Sequence, residues 1–222
     1  MASTLEVQPG PPPSAADPAS FHALLERREC SQLFILCCGQ ANRLMLHPLT
    51  FIRDTRLVDR NVLIIRDPAQ GCYQRGVGGG LPDIPSLVGW LRQFIVDRPH
   101  LRKIYCVGSS GGAYMAMIAG HLLKADAVWA FAPAVELGSD GELDYVDPRF
   151  ADLARVLGEG NGVTRHRVYY NESHEPDRVA CGKLRETPNV QLLPQGGEGH
   201  GVIIHLAETN RLGSLFPARE VA

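Results

Sequence analysis

The stretch Lys-Ile-Tyr-Cys-Val-Gly-Ser-Ser-Gly-Gly-Ala-Tyr-Met-Ala-Met-Ile-Ala-Gly-His-Leu-Leu, from Lys103 to Leu123, constrains this chain more than any other. A short apolar run, Ile104 to Val107, leads into the small residues Gly108 through Gly112. A long apolar stretch, Ala113 to Leu123, follows. The pattern predicts a strand, a sharp turn and a buried helix. Within the turn, Gly108, Ser110 and Gly112 spell G-x-S-x-G. The central residue of such a turn sits at a strained backbone position. The residues two before and two after it crowd each other, so only glycine or a similarly small residue fits there. The turn lifts the Ser110 hydroxyl clear of the sheet. The helix behind it aims unpaired backbone N–H groups at any anion that develops nearby. Ser109 is the rival nucleophile, but centring the motif on it puts the branched Val107 where crowding is greatest. A Gly/Ser turn with no chemistry is the plain alternative, and five residues alone do not decide against it.

The rest of the chain alternates strands and helices. Residues 1–20 carry Pro9, Pro11, Pro12, Pro13 and Pro18 among Ala, Ser and Gly. That composition cannot bury a core and reads as a disordered or extended leader. A short helix is expected over Phe21 to Glu29, with Ser20 at its N-cap. Leu33 to Cys38 and Val62 to Ile65 are continuous apolar runs, the mark of strands buried on both faces. A helical or irregular connection, Leu46 to Thr55, separates them. Residues 71–82 form a glycine-rich loop at the rim of any active site. A helix over Ile84 to Val96 presents Leu87, Trp90, Leu91, Phe94 and Ile95 at helical spacing, and Pro99 stops it. Beyond Leu123 come a strand at Ala125 to Phe131, a helix at Arg149 to Leu157 and a strand at Arg167 to Tyr170. A helix at Asp177 to Leu184, a strand at Val190 to Leu193 and a final helix from near His200 to about Leu212 complete the pattern. Buried strands alternating with helices predict an α/β fold, with about six mostly parallel strands covered by helices on both faces. Residues 21–222 show no repeat and no linker that would split them.

The Gly108–Gly112 turn, with a strand before it and an apolar helix after it, resembles the nucleophile elbow of the α/β-hydrolase family. That resemblance implies an acid and then a histidine, in that chain order, each after a later strand. Both are present. Asn171-Glu172-Ser173-His174-Glu175-Pro176-Asp177 follows the fifth strand, and Gly196-Gly197-Glu198-Gly199-His200-Gly201 follows the sixth. The resemblance makes Ser110 the nucleophile, His200 its base and a carboxylate the group that orients the histidine. Asp177 is the expected acid, since the family's acid sits a few residues past the strand end. Glu172 and Glu175 are its rivals, and a plain helix-capping role for Asp177 is the bland reading. The family places the oxyanion donors at the N–H after the nucleophile, Gly111, and in the loop after the strand ending at Cys38. There Gln40 is the choice, with Gly39 and Ala41 close behind. The resemblance covers roughly residues 30–212. Two strands that usually open this sheet have no room before Leu33, and the interval between Phe131 and Arg167 leaves material for little or no lid.

Composition narrows what remains. The 222 residues suffice for one large domain, and an apolar fraction of 45% is ordinary for a globular protein. The net charge is −2 with acids and bases intermixed, so nothing recommends a nucleic-acid partner. The six cysteines, at 30, 37, 38, 72, 106 and 181, form no C-x-x-C and no zinc-finger set. The glycine-rich loop lacks a Walker lysine, and no His pair matches H-E-x-x-H, so neither cofactor nor metal is expected. His47, His121 and His205 read as packed or solvated side chains. No charged start precedes an apolar core at the N-terminus, and Ala113 to Leu123 is shorter than the roughly 20 apolar residues of a membrane span. A cytoplasmic, reduced protein is expected, although spacing alone leaves a disulfide open. Its substrate would be a small molecule or an acyl-carrying one. Three functions fit: a serine hydrolase acting on a carboxylic ester or thioester, an acyltransferase with the same triad, and a non-catalytic binding protein. No residue pattern reports the oligomeric state.

Overall fold

The computed structural model describes residues 21–138, 143–158 and 160–221. The expected leader, residues 1–20, and its helix cap Ser20 lie outside them. Apolar runs become the strands β1 His22–Leu25, β2 Gln32–Cys37, β3 Asn61–Ile65, β4 Lys103–Ser109, β5 Ala127–Phe131, β6 Arg165–Asn171 and β7 Val190–Gln195. Between them lie the helices α1 Pro48–Asp54, α2 Ile84–Val96, α3 Gly111–Leu123, α4 Leu153–Gly158 and α5 Glu175–Gly182, and α6 Val202–Glu208 follows β7. The strands form one sheet in the order β1-β3-β2-β4-β5-β6-β7. All neighbours pair parallel except β1, which runs antiparallel to β3.

Period-two alternation divides each central strand between two cores. Leu33, Ile35, Cys106, Val128 and Val168 face α2, α3 and α4. Phe34, Leu36, Tyr105, Val107 and Trp129 face α1, α6 and the C-terminal Phe216. Helices therefore cover both faces, and the architecture is a three-layer sandwich. Asp83 opens α2 by accepting from the Ser86 N–H in a capping box, which fixes the boundary that the sequence predicts. Among the described residues, the interval after β5 carries one short helix, α4, whose Leu153 and Leu157 are buried in the core rather than laid over the sheet's carboxyl edge.

Among the described residues the sheet has seven strands rather than six, because Phe21 to Glu29 is not a helix. Phe21, Leu24 and Leu25 stand at helical spacing, yet β3 offers an open row of backbone donors and acceptors. Residues 22–25 pair with it, His22 opposite Ile65 and Leu25 opposite Val62. A non-local partner outweighs a weak local period.

After β2 the chain moves outward to β3, then returns across β2 to β4. The direction of winding thus reverses between β2 and β4. In open parallel sheets, ligands bind at the carboxyl ends of the strands that flank such a reversal. Cys37 pairs with Gly108 in register, so the turns after β2 and β4 face each other there.

One buried titratable group makes the fold acid-sensitive. Burial, with a smaller contribution from His121, pulls the pKa of His166 on β6 from 6.5 to about 4. The unfolded chain takes up this proton near its ordinary value, and the folded chain does so only near the lowered one. The contribution of His166 is therefore complete above pH 6.5 and is lost as pH falls toward 4, by up to roughly 3 kcal/mol. Melting temperature followed over that range should fall in the wild type, and the part due to His166 should vanish in His166→Gln.

Candidate active site

The elbow is built by close backbone approach. Ser110 lies between β4 and α3 at φ 53°, ψ −127°, a strained position for a residue with a side chain. Its N–H donates to the Phe131 carbonyl (2.9 Å), and its carbonyl accepts from Ala113 and Tyr114. A Cβ on Gly108 would collide with the Gly112 carbonyl, and one on Gly112 with the Cys37 carbonyl. Gly112 thus lets α3 start against the end of β2. Gly111 faces Cys72, whose Sγ would lie 2.7 Å from an added Cβ. Ser110 remains partly accessible, whereas Ser109 is 1% exposed and its Oγ turns to the Arg43 carbonyl at 3.5 Å.

Asp177 and His200 meet. The acid lies in the first turn of α5, buried, and His200 Nδ1 is 2.9 Å from its Oδ1 and 3.0 Å from its Oδ2. Glu172 and Glu175 are exposed, and Glu175 faces Arg178 instead. Asp177 does not cap its helix, because His174 occupies that position. His174 Nδ1 also lies 2.9 Å from Asp177 Oδ2, so two imidazoles flank one carboxylate. The turn carrying His200 is tied to the end of β6. Asn171 Nδ2 donates to the carbonyls of Glu198 (3.1 Å) and Gly199 (2.9 Å), and Ser173 Oγ donates to Gly197 (2.8 Å). The sequence reading missed both ties and the role of His174. His200 reaches Asp177 but not Ser110: among the described residues the Ser110 hydroxyl makes no hydrogen bond. Such bonds are often long in a free enzyme and tighten only around substrate.

Beside Ser110 lies a cavity of about 330 Å³, walled by Gly39, Gln40, Gln70, Cys72, Tyr73 and Leu143 among others. Its rim is the loop after β2, with left-handed Ala41 and Asn42. Gly39 N–H donates to the Arg43 carbonyl and Ala41 N–H to Gln70 Oε1, so of the three candidate donors only Gln40 keeps its N–H clear of these bonds. A second loop, residues 67–74, clamps the first. Gln70 holds Ala41, Asn42 Oδ1 accepts from Asp67 N–H (3.0 Å), and Tyr73 Oη donates to the Cys38 and Ile65 carbonyls. Burial raises the pKa of Asp67, and backbone N–H groups, Tyr73 first among them, oppose the shift. The glycine-rich stretch expected at the rim therefore supplies a wall.

The remaining histidines stand apart from this cavity. His47 caps α1 by accepting from the Leu49 N–H, and His121 lies against His166. His205, on α6, lies against Gly197. None of the six cysteines forms a disulfide; burial pushes Cys38, Cys106 and Cys181 up to about 12, and Cys37 rises well above its usual value. A larger groove of about 470 Å³, lined by Lys103, Trp129, Arg165 and Phe216, lies at the amino end of the sheet, away from Ser110. Among the described residues, no helix is long and apolar enough to cross a membrane.

A mostly parallel sheet whose winding reverses beside a strained strand-to-helix serine is the α/β-hydrolase fold, and solved structures agree. The chain is similar to the apo form of Thermogutta terrifontis esterase 2, at 15% identity over 90% of this chain and 88% of that one, with a TM-score of 0.58. Est1E from Butyrivibrio proteoclasticus matches at 14% identity, covering 87% and 92% of the two chains, with a TM-score of 0.61. The capsule O-acetyltransferase of Neisseria meningitidis serogroup A matches at 15% identity over 86% and 90%, with a TM-score of 0.59. No protein-family model matches the sequence, and no curated protein matches it significantly.

Proposed function

We propose that the chain is a serine hydrolase that cleaves a carboxylic ester or thioester through an acyl-enzyme on Ser110. The observation that carries this reading is the Asp177–His200 pair, 2.9 Å apart, on the same sheet edge as a serine held at φ 53°. His200 takes the Ser110 proton as the oxygen attacks the acyl carbon, and gives it to the departing alcohol or thiol. Asp177 holds the proton of His200 on Nδ1, leaving Nε2 to act as base. Gly111 and Gln40 N–H groups receive the oxyanion. Water then repeats the sequence and frees the acid. Acyl transfer differs only in the acceptor, and the fold it shares with an O-acetyltransferase supports keeping that second reading. A cavity of about 330 Å³ favours small acyl groups.

A series of activated esters of increasing acyl length, followed in the first turnover, tests the proposal. A burst of leaving group equal to the enzyme present, followed by slower steady release, is expected for short acyl chains. Addition of an alcohol should divert product to a new ester if transfer competes. Steady release without a burst, at the rate of the Ser110→Ala chain, would refute the acyl-enzyme.

Gln70 should be a positioning residue within this scheme. Gln70→Leu removes the acceptor that holds Ala41, so the Gln40 donor loses its aim. Its kcat should fall roughly 10- to 100-fold with KM little changed, a fraction of what losing an oxyanion donor costs. Gln70→Glu keeps the acceptor but loses the Nε2 donor to the Asp67 carbonyl (2.7 Å), so it should recover only part of the loss. Equal kcat values for the wild type and Gln70→Leu would show that the clamp does not act on the reaction.

A further inference from the structure

We propose that His174, Asp177 and His200 form a binding site for a divalent metal ion such as Zn²⁺, and that the bound ion switches the enzyme off. One ligand atom from each residue lies within 4.8 Å of the others, the metal-ligating group of this kind among the described residues. His174 Nδ1 lies 2.9 Å from Asp177 Oδ2, and His200 Nδ1 lies 2.9 Å from Oδ1 and 3.0 Å from Oδ2, so both nitrogens are close to Oδ2. With metal bonds of about 2.0–2.2 Å, each nitrogen–oxygen spacing subtends about 90° at the ion, and a widening of roughly 0.5 Å would bring those two angles to the tetrahedral value. The two rings stand 5.9 Å apart and tilted by 57°, so they do not stack. Two imidazoles and a carboxylate are a donor set suited to zinc.

The second observation is the state of His174. Its Nδ1 is buried and makes no hydrogen bond, because its contact with Asp177 is out of line. It does not cap α5 either, whereas His47 at the matching position of α1 accepts from Leu49. A buried nitrogen left unpaired beside a carboxylate is costly, and a shared cation satisfies both. Access is open: the His200 side chain is 44% exposed and that of His174 28%. Zinc would take His200 as a neutral imidazole through Nδ1, its ring proton passing by exchange with solvent to Nε2, where it blocks the base, and would leave its fourth position to water. His200 would then be turned away from the orientation that Asp177 gives it. Metal binding stands on the geometry alone, whereas the inhibition rests on the hydrolase reading.

Titrating the chelator-treated full chain with Zn²⁺ by calorimetry at neutral pH tests the site. Melting curves of His174→Gln and of a control, His205→Gln, should first be matched to that of the wild type. One ion per chain is expected, with affinity at least tenfold weaker in His174→Gln and unchanged in His205→Gln. Equal affinity in the wild type and His174→Gln overturns the site. In parallel, Zn²⁺ should slow fluorophosphonate labelling of the wild type at least tenfold, reversibly by chelator, and should leave labelling of His174→Gln unaffected. Zinc binding with no slowing overturns the switch. Zinc binding in a chain that never labels upholds the site and counts against the hydrolase reading instead.

Discussion

Ser110→Ala should lower turnover of a reactive ester by about 10⁴- to 10⁶-fold while leaving the fold intact. The loss is large because no neighbour can take over. Ser109 is buried with its hydroxyl turned to the Arg43 carbonyl, and Cys72 lies against Gly111 rather than at the elbow's apex. The fold should survive because the Ser110 hydroxyl makes no hydrogen bond among the described residues, and alanine keeps the same strained backbone. Residual activity above water should remain, supplied by the backbone donors that alanine does not disturb. Matched melting curves separate loss of chemistry from loss of structure. If Ser109→Ala is the inactive variant and Ser110→Ala is not, the glycine frame has been centred on the wrong serine.

Asp177→Asn should lower turnover by about 10⁴-fold with little change in stability. Asparagine fills the same space but presents an N–H₂ or a neutral oxygen to His200. In the proposed scheme the histidine then loses the carboxylate that would keep its proton on Nδ1. Stability should hold because the α5 cap position belongs to His174, so no helix cap is removed. Glu172→Gln and Glu175→Gln should stay near wild type, since both carboxylates are exposed and neither touches His200. Kinetics and melting of the three variants together decide the acid. Near-normal activity of Asp177→Asn would return the role to one of the two glutamates.

The elbow was legible because its demand is local: Gly108 and Gly112 crowd each other within five residues, and no distant contact is needed to see it. The bounds of α2 were legible from its apolar spacing and from Pro99 beyond its end, and Asp83 caps its start. Asp177 and His200 were singled out from chain order, and the structure brings their side chains together at 2.9 Å. What stayed hidden depends on partners far apart in sequence. β1 exists because β3 lies open beside it, about 40 residues on. Gln70 and Asn42 clamp the loop after β2 across separations of 29 and 25 residues. Asn171 ties down the His200 turn across 27 and 28 residues. Periodicity cannot report such pairs. His174 was hidden differently: its neighbour Asp177 drew attention as a cap, and only the structure shows which of the two occupies that position.

The central claim is that Ser110 is a nucleophile activated by His200 and Asp177. Covalent labelling tests it most directly, because it needs no knowledge of the natural substrate. The intact chain is treated with a fluorophosphonate, weighed, digested and sequenced by mass spectrometry. One adduct per chain is expected, on Ser110, and it should be absent in Ser110→Ala and strongly slowed in His200→Ala. A chain that stays unmodified, or that carries its adduct on Ser109 or another residue, would contradict the account.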